Sequence, residues 1–480
     1  MADRLSALDA SFLYVEEPSV PMHVGSVAIL RRPPGEGLDY AWVQALILRR
    51  LRYLPRYRQY VRFVPGHLAR PVWVDDADFD ISYHVRRSAL PAPGNDTQLF
   101  DLVARLLARP LDRDRPLWEC YLVEGLEGDR VALVTKTHQS LVDGTDTLDL
   151  AQLILDTEPA EPTSLAEPVA LGEDATWSGW GPSPRPGRAR LLFDAVADTV
   201  SRPGEVVENV RNAAKDVTST ATRVFDAVGG VATTVRSLVR SVPRGPLHTR
   251  VSGGRVFSGV SADLDELRAI RRRHGGTIND VVFAVVTGAL RQWLLSRGVP
   301  LEHTTTVRAL APLAVHPPEN AELSSIALLG NRVDPCLVDL PVGEPYPVLR
   351  LQHVAHEMGQ QVRARRSVAA RAMARLGGFA PATMYSLAAR AASSLSGRLF
   401  DVVVANSPGP QQRLYAGEAV LERIYPALPL SRDQALTIGV TSYNGHVYFG
   451  LNADRKALSD IPVLTGMITE AIAELKGTNW

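Results

Sequence analysis

The sequence predicts an α/β fold with mixed sheets, arranged in two units. Three observations lead there. The chain has 480 residues, more than one small core organises, so two domains are expected. Hydrophobic residues make up 45% and charged residues 22%, which describes an ordinary globular protein rather than a disordered one. Strand-like and helix-like stretches then alternate along both ends of the chain, the texture of a sheet layered with helices.

In order, Met22 to Leu30 reads as a strand and Tyr40 to Leu54 as a helix. Strand-like runs recur at Gln59 to Val64, Pro71 to Val74 and Ile81 to Val85. Thr97 to Leu107 has helical period, and Trp118 to Val123 and Val131 to Thr137 read as strands. Glu158 to Arg190 changes character: Pro162, Pro168, Pro182, Pro184 and Pro186 mark it as a linker or surface loop. Val210 to Val242 follows, with an apolar seam at helical spacing, basic flanks at Lys215, Arg223, Arg236, Arg240 and Arg244, and a weak point at Gly229-Gly230. Three readings stay open for it: a helix packed on its own protein, an amphipathic helix facing a membrane or lipid droplet, and a partner-binding coiled coil.

A second half opens near Gly254. Val256 to Val260 and Asp263 to Arg273 read as strand and helix. Thr277-Ile278-Asn279-Asp280 has the form of a capping box, starting a helix that runs to about Trp293. Strands are expected near Thr305 to Pro312 and Ala327 to Val333, and helices near Val348 to Arg363 and Thr383 to Leu395. Strands follow at Asp401 to Ala405, Leu436 to Tyr443 and His446 to Asn452, with a hairpin turn at Tyr443-Asn444-Gly445. A closing helix spans Ile461 to Leu475. The expected units are residues 1–160, a linker and helical crossover over 161–250, and residues 251–480. No internal sequence repeat relates the two halves.

Composition narrows the partners. Lys plus Arg and Asp plus Glu both number 52, so the net charge is zero, and the basic excess of a nucleic-acid binder is missing. The two cysteines, Cys120 and Cys336, form no metal-ligand spacing and read as small buried hydrophobes. The stretch from Met1 lacks the apolar core of a signal peptide, and apolar runs such as Val281 to Leu290 are too short to span a bilayer. A cytoplasmic protein that touches membranes peripherally is the expectation. There is no phosphate-cradling Gly loop and no Gly-x-Ser-x-Gly elbow.

The chemistry concentrates in Thr137-His138-Gln139-Ser140-Leu141-Val142-Asp143-Gly144, where a strand gives way to a loop. This run resembles the His-His-x-x-x-Asp-Gly motif of CoA-dependent acyltransferases, with Gln139 at the position of the second His. Around it stand Leu5-Ser6-Ala7-Leu8-Asp9 with Pro21-Met22-His23-Val24-Gly25, Pro110 through Glu119, Asn279-Asp280-Val281-Val282, Gly330-Asn331-Arg332, Leu340 through Glu344, Asn406 through Pro410, and Ile424-Tyr425-Pro426. In this order and over nearly the whole length, these motifs resemble the bacterial wax ester synthase/diacylglycerol acyltransferase family. The resemblance implies two domains of condensation type, similar to chloramphenicol acetyltransferase, with a tunnel at their interface. Acyl-CoA is the implied co-substrate, no other cofactor or metal is implied, and the acceptor is diacylglycerol or a fatty alcohol. Peripheral contact with a membrane or lipid-droplet surface is also implied.

The reaction explains the residue types. A hydroxyl is a weak nucleophile at neutral pH, and a base that removes its proton as it attacks a thioester contributes roughly 10²- to 10⁴-fold. Histidine suits that task. The family's motif makes the second His this base and gives the Asp a structural role. Asp143 fits the latter, and Gly144 permits a tight turn or close substrate approach. Gln139 cannot accept a proton. Three readings stand: His138 is the base, Gln139 positions the acceptor, or the chain retains only lipid binding or a regulatory role. Asn279 and Asp280 have two readings, orientation of groups across the interface or helix capping. His23 likewise reads as tunnel lining or as a satisfied core histidine, while His316 beside Pro317-Pro318 reads as a loop residue. Gly245-Pro246-Leu247-His248 stands where the family tends to show Pro-Leu-Asn. Amide-forming condensation shares the motif, but the wax-synthase signatures in both halves argue against it.

Overall fold

A computed structural model describes residues 3–33, 38–52, 54–67, 69–142, 154–159, 182–187, 189–191, 193, 245–314, 333–364 and 399–478. The expected helix over 210–242, the Pro-rich stretch for the most part, the helix expected at 383–395, and Gly330-Asn331-Arg332 and His316 lie outside these residues.

The first half contains α1 (Ala7–Val15), β1 (His23–Arg31), α2 (Tyr40–Leu51), β2 (Gln59–Arg62), β3 (Val72–Asp75), α3 (Ile81–His84), β4 (Val85–Ala89), α4 (Asp96–Leu107), β5 (Trp118–Leu126), β6 (Arg130–His138) and α5 (Gln139–Val142). The second contains β7 (Arg255–Asp263), α6 (Leu264–His274), α7 (Ile278–Ser296), β8 (Val307–Ala314), β9 (Val333–Leu340), α8 (Pro347–Ala364), β10 (Val402–Ser407), β11 (Tyr415–Ala416), β12 (Ala419–Ala427), β13 (Leu436–Tyr443), β14 (His446–Asp454) and α9 (Ile461–Gly477).

Local signals account for many of these elements. Asn95 and Gln98 form a reciprocal capping box at α4, whose buried Leu99, Phe100, Val103, Ala104, Leu106 and Leu107 recur at helical spacing. Thr277 and Asp280 form the expected box at α7. Asn444 and Gly445, with φ of 45° and 80°, make the tight turn between β13 and β14. Among the described helices, α7 is the one long and apolar enough to cross a membrane, yet 72% of its apolar window is buried inside the protein. It is the central helix of the second core, where Phe283, Leu290 and Trp293 are fully enclosed.

One sequence expectation fails for a physical reason. Ile81–His84 is one helical turn, because Asp80 accepts a hydrogen bond from the Ser82 N–H at 2.8 Å and caps it; the strand begins at Val85. Of the strand expected over Ala327 to Val333, residues 327–332 lie outside the described residues; Val333 opens β9, which continues to Leu340.

Two six-stranded sheets result, ordered β11-β12-β1-β6-β5-β4 and β7-β14-β13-β10-β8-β9. The first is completed by the second half of the chain. β12 pairs antiparallel with β1, placing Tyr425 opposite Val27 and Leu421 opposite Leu30. The expected unit 251–480 is therefore corrected: residues 415–427 leave it and join the first sheet. Leu421, Tyr425, Tyr443 and Tyr448 accordingly belong to the first core.

The halves meet where α4 packs on β7. The Phe100 ring lies edge-on to Phe257 at 5.6 Å and to Tyr425 at 5.5 Å. Gly259 makes this approach possible: a Cβ there would sit 2.7 Å from Tyr425 and 2.9 Å from Phe100. Asp96 and Arg423 form a two-pronged ion pair at 2.6 and 2.9 Å across the same seam.

Candidate active site

β1 and β6 run antiparallel, with His23 directly opposite His138 at the strand ends. The backbone there is pinned on both sides. The His138 N–H donates to Leu117 O and the Gln139 N–H to Met22 O, both at 2.9 Å. Leu117 is buried next to Trp118, whose indole N–H donates to Tyr57 O at 2.7 Å. The Pro110 to Glu119 motif thus forms the wall behind the motif histidine.

The His138 ring is buried, and its surroundings select a tautomer. Nδ1 accepts the Ser140 backbone N–H at 3.1 Å and lies 2.7 Å from Ser140 Oγ. A backbone N–H only donates, so Nδ1 is unprotonated and the neutral ring carries its hydrogen on Nε2. Nε2 is itself buried and faces Glu16 Oε1 at 3.7 Å, an ion-pair distance rather than a hydrogen bond. Glu16 is held in turn by the Met22 N–H at 2.9 Å and by Arg113 at 2.5 and 3.1 Å. Burial alone would raise the Glu16 pKa. The His138 ring, the Met22 N–H and the Arg113 guanidinium outweigh it and hold the carboxyl at about 2. Both nitrogens of His138 are therefore directed at protein groups.

His23 donates from Nε2 to Leu107 O at 3.0 Å, tying β1 to the end of α4, and its Nδ1 is buried without a partner. Burial, reinforced by the charge of Lys136, pushes its pKa well below the ordinary value, so it is a neutral histidine of the core. The tunnel-lining reading gives way to the core reading. Further along this sheet face, the enclosed Lys136 ammonium donates to Arg109 O at 2.9 Å and to Glu119 at 3.0 Å. Burial lowers its pKa, while the Glu119 charge opposes the shift. Tyr121 and Arg86 complete the carboxylate's partners at 2.9 and 3.3 Å.

The remaining expected residues are dispersed. Asp280 is the N3 partner of the Thr277 cap of α7, accepting the Thr277 N–H at 2.7 Å, which is the geometry of the capping reading. Asn279 accepts a hydrogen bond from the Asn406 amide at 2.9 Å, joining two motifs within the second half. Asp143 and Gly144 lie outside the described residues. Gln139 is half-buried and opens the short helix α5. Leu247, in the segment that departs from Pro-Leu-Asn, is simply buried in the second core. A recess of about 340 Å³ lined by Arg273, His274, Val348 and Gln352 sits in the second half, apart from this constellation. Among the described residues, no group of three or more His, Cys, Asp or Glu could hold a metal ion.

Sequence reasoning missed Glu16, Arg113 and Ser140 as site residues. Glu16 sits between the two parts of the opening signature, Arg113 within the Pro110 to Glu119 motif, and Ser140 inside the active-site run. Motif membership was the available signal; contact between Glu16 and His138 was not.

Two mixed six-stranded sheets, the first completed by β11 and β12 from the second half of the chain, with a clamped histidine at the edge of a loop in the first, define a two-lobed fold of the condensation-type acyltransferases. The chain shares this fold with the first condensation domain of the calcium-dependent antibiotic synthetase, with a TM-score of 0.54 at 14% identity over 99% of this chain and 96% of that one. It belongs to the wax ester synthase/diacylglycerol acyltransferase family: residues 5–282 match the wax ester synthase/diacylglycerol acyltransferase catalytic domain and residues 329–476 the family's C-terminal domain. A probable diacylglycerol O-acyltransferase of Mycobacterium tuberculosis is 46% identical over 275 residues, 57% of this chain and 97% of that protein. A putative diacylglycerol O-acyltransferase of the same species is 33% identical across 98% of this chain and 96% of its own length. The wax ester synthase/diacylglycerol acyltransferase of Marinobacter aquaeolei VT8 superposes with a TM-score of 0.67 at 26% identity, covering 98% of both chains.

Proposed function

We propose that this protein is an O-acyltransferase that moves a long acyl group from CoA to the hydroxyl of diacylglycerol or of a fatty alcohol. The observation that carries this reading is the clamped His138 beside Gln139, at a strand end walled by the family's own motifs. The thioester supplies the activation, so acyl-CoA acts as co-substrate and no prosthetic group enters the reading. Because the acceptors are insoluble in water, the reading places the protein on the cytoplasmic side of a membrane or lipid-droplet surface, with the acyl chain and acceptor meeting in a tunnel between the halves.

The test is ester formation from labelled palmitoyl-CoA with diacylglycerol or hexadecanol. The wild-type protein is expected to form product, and His138→Ala to lose roughly 10²- to 10⁴-fold. Gln139→His is the control on the altered motif. A silent wild type alongside an active Gln139→His variant would overturn the enzymatic reading in favour of a lipid-binding homologue with an intact site.

A further inference from the structure

We propose that the recess between the end of α6 and the facing side of α8 binds a phosphate monoester. It lies in the second half, apart from the constellation around His138.

The recess has a volume of about 340 Å³, within the range that small ligands occupy, and is lined by Arg273, His274, Val348 and Gln352. Its walls follow from the sequence. Val348, Gln352 and Ala355 stand four and three residues apart, so they share one face of α8. Gly275 and Gly276, with φ of 83° and 82°, turn the chain from α6 into α7. That turn rests on the same face of α8: a Cβ at Gly276 would come 3.7 Å from the Ala355 Cβ. Val348 is buried and gives the recess an apolar wall, while Gln352 is exposed.

The cationic wall is held in place. Arg273 donates from Nη1 to Lys476 O, and His274 donates from Nε2 to Leu475 O, both at 3.2 Å and both at the end of α9. A guanidinium presents five N–H groups in a rigid fork, of which the carbonyl takes one, and Gln352 brings an amide NH₂. Donors fixed before a ligand arrives, one set of them charged, suit the several oxygens of a phosphate.

The charge around the recess has one sign. The carboxylates of the neighbouring helices are committed: Asp265 pairs with Arg268 at 2.9 Å, Glu266 with Lys476 at 2.5 Å, Glu474 with Arg350, and Asp280 accepts the Thr277 N–H. Glu357 lies two residues past Ala355, off the shared face of α8. Arg271 and Arg272 are exposed and, among the described residues, form no ion pair. Standing at successive positions of α6, they add field rather than contact, and a dianion gains most from it. Helix-end stabilisation accounts for the two carbonyl bonds at α9. It does not account for the recess beside them or for the amide on its opposite wall.

Two sources carry a phosphate monoester where an acyl-CoA enzyme meets lipid: the 3′-phosphate of CoA and the headgroup of phosphatidic acid. This pair of sources rests on the acyl-transfer reading; the recess does not. The experiment has an arm for each, and neither needs ester formation. Calorimetric titration compares CoA with 3′-dephospho-CoA. Flotation compares phosphatidylcholine vesicles with and without phosphatidic acid. One arm is expected to show a preference for the monoester of roughly 10-fold or more, the worth of a charge-assisted hydrogen bond. Arg273→Met should remove that preference. Gln352→Glu should remove it too, and because this variant keeps every bond to α9, its loss is not a loss of fold. A preference in the first arm makes the recess an anchor for the co-substrate; in the second, a headgroup site. No preference in either arm would overturn the proposal, as would a preference that both variants leave intact. Ester formation without either preference sinks the recess alone, whereas a preference without ester formation sinks the acyl-transfer reading alone.

Discussion

The two sheets are built to the same size and differ in what their central strands bury. In the first, β6 encloses Lys136 and His138, with Glu119 on β5 and His23 on β1 along the same face. In the second, β13 and β14 enclose Leu436, Ile438, Val440, Val447, Phe449 and Leu451 against α7. Burying an ion is costly unless geometry and partners compensate. The contrast is one of placement: the first sheet buries its charge on the central strand that carries His138, whereas the second confines it to strand ends, where Arg255 of β7 and Asp454 of β14 pair at 4.0 Å.

The comparison breaks most sharply under substitution. Lys136→Met should destabilise by about 3–5 kcal/mol, because it leaves the Glu119 carboxylate buried with one cation fewer. Adding Glu119→Gln should restore much of that loss. Phe283→Ala in the second core should cost a similar amount, about 3–5 kcal/mol, through a cavity that no charge change repairs. Urea unfolding of the three variants decides it; a double variant as unstable as Lys136→Met would mean that pairing is not what holds the first sheet.

Acid gives the next effect. The folded Glu16 pKa, about 2, lies below its ordinary value of 4.5, so its contribution is present above about 4.5 and is lost as pH falls toward 2. By linkage this amounts to something on the order of 3 kcal/mol. His23 acts in the same direction. Its folded pKa is depressed below 6.5, so the unfolded chain takes up the proton first and stability declines as pH falls below 6.5. Unfolding midpoints measured across this range should therefore drop with acid, and Glu16→Gln should flatten the part between 4.5 and 2. An unchanged slope in that variant would show that the carboxyl is not held ionised.

The smallest effect is expected at the seam. Arg423 and Asp96 pair in good geometry but are 21% and 41% exposed, so Arg423→Met should cost about 1 kcal/mol or less. A much larger loss in thermal unfolding would make this pair, rather than the aromatic contacts of Phe100, the main bond between the halves.

Much of this was readable in advance where a signal is local. The capping box at Thr277, the period of α4 and the Asn444-Gly445 turn each encode their element within a few residues. The Ile81–His84 turn was misread because a short apolar run carries no period, and one capping hydrogen bond from Asp80 decided it. The site divides in the same way. His138 and Gln139 were legible as motif positions, whereas Asp280 and His23 were ambiguous until their partners were known. Thr277 made the first a cap, and the Leu107 carbonyl made the second a core residue.

By itself the sequence determined which segments become strands and helices, how they are capped, and which family's motifs they carry, because these depend on neighbours within one or two turns. Only the tertiary structure decided that β12 crosses to pair with β1, and that Glu16 and Arg113 converge on His138. Strand partners and ion pairs between distant segments depend on where the chain returns in space. No local period or propensity records that position, and it is that position which turns a motif histidine into part of a site.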